Sequence, residues 1–149
     1  MRIIKTKEVK TPTRGTPQSA GLDFYVPDKF FPDTGFVLMP GQSYNIPSGI
    51  MAKIPKGHAL IAFNKSGIAL KKGLQVGACV VDEDYQGEIH LHVRNIGRSW
   101  TTIENGEKLV QFLLVPVLYN EPIVLDSYKD LFPNSTERGP GGFGSTGGT

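Results

Sequence analysis

Three consecutive carboxylates, Asp82-Glu83-Asp84, followed by Tyr85 and preceded by an apolar run, form a dense cluster of titratable groups. Acidic turns are commonly solvated loops, yet a carboxylate set in a cleft is also a general base that can take a proton from water. The cluster alone leaves both readings open. A second group, Asn64-Lys65-Ser66-Gly67, precedes a candidate helix. Free amide groups, a hydroxyl and a cation there suit an anion as well as they suit a plain capped turn. The third group is Arg138-Gly139-Pro140-Gly141-Gly142-Phe143-Gly144-Ser145-Thr146-Gly147. Its glycines let successive amides converge on a phosphate, Arg138 offers a bidentate fork, and Phe143 offers a flat face for a base. It is not a Walker A loop, because no Gly-Lys-Ser/Thr follows at the required spacing.

Two further groups carry less. His90 and His92 stand two apart on one strand face, a spacing that metal sites use, but a third ligand is missing because His58 lies in another segment. Cys79 sits in an apolar run with no identifiable histidine partner, so it reads as a packed small residue rather than a nucleophile.

The elements that must position these groups are short. Turn signals recur at Pro40-Gly41, Ser48-Gly49, Pro55-Lys56-Gly57, Asn95-Ile96-Gly97 and Asn105-Gly106, and between them lie β-branched and aromatic runs such as 58–63 and 109–115. This spacing predicts an all-β sandwich or barrel. Residues 88–94 alternate strictly, with Ile89, Leu91 and Val93 on one face. Residues 76–81 read as the partner run, so 82–87 become the loop of a hairpin. One short helix is expected over 66–72, capped by Ser66 and ended by Gly73. From Pro133 onward the chain is glycine-rich, with little that is apolar besides Phe143, and is expected to be a flexible arm. The organisation expected is therefore a domain over 1–132 and an arm over 133–149.

A chain of 149 residues suits one core, and 16 basic against 14 acidic residues leave a net charge of +2. That balance gives no reason to expect direct nucleic-acid binding or attachment to a membrane surface. The apolar run from Phe112 to Tyr119 is too short to span a bilayer and contains Pro116. No apolar stretch follows the charges of Met1–Lys7, and one cysteine cannot close an intrachain disulfide. These features predict a cytoplasmic protein that is not secreted.

Taken in order, the motifs resemble those of the homotrimeric deoxyuridine triphosphatases (dUTPases). Ala20-Gly21-Leu22-Asp23-Phe24 resembles the first, Asn64 to Ala69 the second and Val76 to Glu88 the third. Gly106-Glu107-Lys108-Leu109-Val110-Gln111 resembles the fourth and Arg138 to Gly147 the fifth. The resemblance implies a jelly-roll-type β-barrel in which three subunits share each active site. It implies hydrolysis of dUTP to dUMP and pyrophosphate, with water attacking the α-phosphorus.

Residue by residue, the resemblance makes Asp82 the general base and sets Tyr85 against deoxyribose, where it leaves no room for a 2′-hydroxyl. The backbone around Cys79 and Val80 would pair with uracil. Asp23 would hold Mg²⁺ through water, and Lys65, Ser66, Gly67 and Gln111 would contact phosphates. From the arm, Arg138, Ser145 and Thr146 would hold the γ-phosphate, and Phe143, between Gly142 and Gly144, would cover the base. In two places this chain departs from the family's usual residues: Cys79 replaces a glycine, and Asn64-Lys65 replaces Pro-Arg. Two other readings share the fold: a nucleotide-binding regulatory protein with weak turnover, and a relative that deaminates dCTP. The complete fifth motif favours the hydrolase over the deaminase.

Overall fold

Strand propensity and frequent turns give a mostly β chain, seen in a computed structural model that describes residues 1–142. In order the elements are β1 (Arg2–Lys5), β2 (Leu22–Tyr25), β3 (Phe36–Leu38), β4 (Ser43–Pro47), β5 (Ile50–Lys53) and β6 (His58–Asn64). They continue as α1 (Ser66–Lys72), β7 (Leu74–Val76), β8 (Val80–Val81), β9 (His90–Asn95), β10 (Thr101–Ile103), β11 (Lys108–Pro116) and α2 (Tyr128–Leu131). All strand pairs are antiparallel. The larger sheets run β2-β11-β6-β8 and β4-β9-β7, and β1-β5 and β3-β10 form two-stranded ribbons. Residues 1–118 form one compact unit and the described residues from 119 onward a second.

The alternation read in residues 88–94 is the clearest link from sequence to core. Ile89, Leu91 and Val93 are buried, while His90 and Arg94 are exposed. Each such side chain contributes about 1.5–3 kcal/mol on burial. Phe24 of β2 and Phe112 of β11 meet beside them with ring centroids 4.5 Å apart. A second aromatic cluster joins Phe31, Phe36 and Tyr44.

Two local features aim the polar groups. The first is a bulge in β11, where Lys108 pairs with Tyr25 and Val110 with Phe24. The extra residue lets Leu109 and Val110 both be buried. It also returns Lys108 and Gln111, three positions apart, to the face that carries Asp23 and Tyr25, because Gln111 pairs with Asp23. The second is α1, which has the bounds expected from the sequence and ends at Gly73 in the left-handed region (φ 63°).

Three expectations are corrected. Ser66 is the first helical residue rather than the cap; Lys65 occupies the cap position without a side-chain capping hydrogen bond, its ammonium pairing with Asp23 instead. Lys72 holds the far end, ion-pairing with Glu107 at 2.5 Å and donating to the Thr102 carbonyl at 2.8 Å. The run 76–81 is not one hairpin strand: Leu74–Val76 pairs with β9, whereas Val80–Val81 crosses to the other sheet and pairs with Leu60 and Ile61 of β6. Finally, a second helix, α2, accompanies the one expected, capped by Ser127, whose hydroxyl accepts the Asp130 amide at 3.2 Å.

Candidate active site

The crossing from β7 to β8 builds one wall of a cavity of about 240 Å³. Its lining includes Cys79, Val80, Asp82 and Tyr85 from this segment, Glu88 and His90 beyond it, and Phe112 from β11. Five of the residues singled out from the sequence, Cys79, Val80, Asp82, Tyr85 and His90, are thus brought together. Cys79 is exposed here, not packed, because the chain is leaving one sheet for the other at that point. Its backbone is not in the left-handed region either: among described non-glycine residues only Lys29 has positive φ. Cysteine in place of glycine therefore carries no backbone strain.

The three carboxylates of the loop have separate surroundings. Glu83 accepts a hydrogen bond from the Gly57 amide, which ties the loop to the preceding turn. Asp82 is exposed and faces the cavity, the position that a general base needs. Tyr85 is 44 % exposed, yet its hydroxyl is committed, donating to the Glu88 carbonyl at 3.0 Å. The ring closes over Gly87, where a Cβ would fall 2.3 Å from the phenol oxygen, so only glycine permits this placement.

Glu88 was not singled out in the sequence as a site residue. Its carboxylate accepts from Lys7 at 2.5 and 2.7 Å and from the Gly49 amide at 2.6 Å, which pins the cavity's edge to the N-terminal segment. Burial by itself would raise the carboxyl's pKa. The hydrogen bonds from Lys7 and Gly49, with the charges of Lys7 and His90, outweigh that and hold it below the ordinary glutamate range. A group depressed in the folded state stabilises above its unfolded value, near pH 4.3, and loses that contribution as pH falls through the folded value. Glu88→Gln should therefore melt lower than wild type at neutral pH, with the gap closing below about pH 4. Thermal melts across pH 3 to 7 check this; a gap that does not change with pH removes the ion pair from the account.

The remaining described candidates form a second group, and none of Asp23, Lys65, Ser66, Gly67 or Gln111 lines this cavity. Asp23 is buried on β2. One carboxylate oxygen pairs with Lys65, and the other lies 3.5 Å from the Lys108 ammonium. Lys108 was not singled out by sequence reading; the two adjacent apolar residues after it, Leu109 and Val110, are the trace of the bulge that turns it toward Asp23. Asn64 links three motifs: its side-chain oxygen accepts the Val76 amide at 2.7 Å, and its carbonyl accepts from Gln111 Nε2 at 2.8 Å. Ser66 and Gly67 are exposed at the start of α1. Arg138 is exposed, its Nε donating to the Gly141 carbonyl at 3.0 Å, and Gly142 is half-buried. Phe143, Gly144, Ser145 and Thr146 lie outside the described residues. No group of three His, Cys, Asp or Glu among the described residues is arranged to hold a metal, so His90 and His92 gain no third ligand. No described helix is long and apolar enough to cross a membrane.

These features agree with what the chain is similar to. A dUTPase family model matches residues 7–147. The deoxyuridine 5′-triphosphate nucleotidohydrolase of Desulfitobacterium hafniense is 36 % identical over 148 residues, spanning 97 % of this chain and 92 % of that protein. The dUTPase of Staphylococcus bacteriophage 80alpha, solved with dUpNHpp, superposes with a TM-score of 0.83 at 22 % identity, over 98 % of this chain and 97 % of that one. A variant dUTPase from phage phi11 of S. aureus, whose structure details coordination of a structural Mg(II) ion, gives 0.71 at 18 % identity, over 86 % and 97 %. The fold is accordingly that jelly roll. A family match over nearly the whole chain and a relative above one-third identity over more than nine-tenths of both chains agree with the ordered motifs, and the chain belongs to the dUTPase family.

Proposed function

We propose that this chain hydrolyses dUTP to dUMP and pyrophosphate, limiting the uracil available for incorporation into DNA. The observation that carries the reading is the cavity whose wall combines the backbone at Cys79 and Val80 with Asp82 and Tyr85. The base would enter against that backbone, whose amide and carbonyl groups read an edge as a partner base does. Asp82 would accept a proton as water's oxygen bonds to the α-phosphorus. The bond from that phosphorus to the bridging oxygen then breaks, and pyrophosphate leaves. Tyr85, pinned by Glu88 and Gly87, is the rigid face against the sugar.

The phosphates would meet Lys65, Ser66, Gly67 and Gln111, and the γ-phosphate would meet Arg138, Ser145 and Thr146, with Phe143 over the base. Asp23 would hold Mg²⁺ through water. A hard carboxylate suits a cation that keeps several of its waters, and Mg²⁺ there would take the place of the Lys65 and Lys108 ammonium groups that pair with Asp23. When bound, Mg²⁺ would neutralise phosphate charge and polarise the reacting group. Since Asp23 and its neighbours do not line the Asp82 cavity, the reading assigns them to a site assembled from several subunits. Exposed Ile123, Val124, Leu131 and Phe132 of the second unit support burial against another copy, and the family resemblance makes that assembly a homotrimer. An exposed lone thiol suits a reducing cytoplasm.

The test supplies dUTP, dCTP, dTTP and UTP with Mg²⁺ to the purified protein and measures pyrophosphate. Only dUTP should turn over efficiently; release from dCTP or from all four alike overturns the reading. Tyr85→Ala in the same assay should raise the kcat/KM of UTP relative to dUTP by about tenfold, since removing a crowding ring admits the 2′-hydroxyl. An unchanged ratio removes Tyr85 from sugar selection.

A further inference from the structure

His90 and His92 lack a third metal ligand, and hydrolysis assigns neither a role. His92 nevertheless makes a contact that bears on the cavity. It lies on β9 opposite Asn45 of β4. On its other side, pairing with β7 ends at Val76 opposite Val93, just before the chain turns away to build the cavity wall. Two hydrogen bonds carry the chain across that departure. The His92 carbonyl accepts the Gly77 amide at 3.0 Å, and the His92 ring nitrogen Nδ1 accepts the Ala78 amide at 2.9 Å.

The fit is close. The ring rests on Gly77, where a Cβ would fall 2.0 Å from Nδ1 and 2.3 Å from Cε1. From the opposite sheet, the Ala62 amide donates to the Cys79 carbonyl at 2.7 Å. The backbone of 77–79 is therefore suspended between β9 and β6, and the only side chain in these bonds is His92. An amide donor at Nδ1 requires a lone pair there, so Nδ1 acts in this contact as the acceptor.

We propose that His92 is a positioning residue for the pyrimidine base: through Nδ1 it sets the Ala78–Cys79 backbone that the cavity presents, without touching substrate itself. The proposal rests on reading that cavity as the base pocket. The same seat explains why position 77 is glycine although the chain there has no left-handed turn: the imidazole occupies the space of a side chain.

Two substitutions separate the acceptor from the bulk. His92→Asn keeps an acceptor oxygen close to the position of Nδ1, and His92→Leu keeps volume without an acceptor. The readouts are amide hydrogen exchange at Ala78 without nucleotide, and kcat and KM for dUTP. His92→Leu should accelerate Ala78 exchange about tenfold and raise KM about three- to tenfold with kcat nearly unchanged, the scale of one lost hydrogen bond. His92→Asn should recover most of both. Gly77→Ala, which drives the ring off its seat, should match His92→Leu, and the double variant should be no worse than either alone. Unchanged Ala78 exchange in His92→Leu overturns the proposal and leaves the pocket reading standing. Faster exchange with unchanged KM overturns the pocket reading and this proposal with it. Equal loss in the Leu and Asn variants, tracking a lowered Tm, reduces His92 to packing and also overturns it.

Discussion

Asp82→Asn is expected to lower the single-turnover rate of dUTP cleavage by about 10²–10⁴-fold while the affinity for an uncleavable dUTP analogue stays near that of wild type. Asparagine keeps the shape and the polarity of the side chain but cannot accept a proton from attacking water, so the loss falls on the chemical step. The geometry also supplies the control. Glu83 stands next in sequence, yet its carboxylate is engaged by the Gly57 amide, so Glu83→Gln should disturb the loop and its stability more than the rate. Quenched-flow measurement for the rate and calorimetry for the analogue separate the two effects. Undiminished cleavage by the Asn variant would transfer the base role to Asp84, the other exposed carboxylate of the loop.

The parts of this site that could be read in the sequence are those that local patterns specify. Half-burial imposes alternation, so Ile89, Leu91 and Val93 announced both β9 and its inward face. The end of α1 needed a left-handed residue, and Gly73 supplied it. The segment 76–81 was harder. An apolar run looks like one buried strand, but this one changes sheets after Gly77, where the imidazole of His92, fifteen positions later, fills the space of a side chain and accepts the Ala78 amide. Exposure of Cys79 follows from the same crossing. Asp23 with Lys65 and Lys108 was equally hidden, since those ion pairs span 42 positions in one case and a bulge in the other. No periodicity reports contacts of that kind. The motif order pointed to candidate residues, and only the fold gave their partners.

Deleting Glu137 to Thr149 should leave the core and the subunit assembly intact and lower kcat/KM for dUTP about 10²–10³-fold. The first half follows from where apolar surface lies. The exposed apolar side chains of the second unit, from Ile123 to Phe132, precede the cut, whereas 137–142 hold Arg138 and otherwise little beyond glycine and proline. Their internal bonds are local: Arg138 to the Gly141 carbonyl, and the Gly139 amide to the Thr136 hydroxyl at 3.2 Å. Loss of such contacts costs a packed domain little. The second half follows from what the segment brings to substrate. Stacking of Phe143 on the base is worth about 1–3 kcal/mol, and a charge-assisted contact from Arg138 to the γ-phosphate adds about 1.5–3 kcal/mol, from which the entropy of ordering the segment must be subtracted. Phe143→Ala alone should reproduce the stacking share, roughly tenfold or somewhat more. Light scattering and thermal melts on the truncated and full chains check the assembly, and pyrophosphate release checks the rate. A truncated protein that stays trimeric and hydrolyses dUTP as fast as the full chain would show that the segment has no part in the site. A full chain that scatters as a 16.3 kDa monomer while active would remove the shared site altogether.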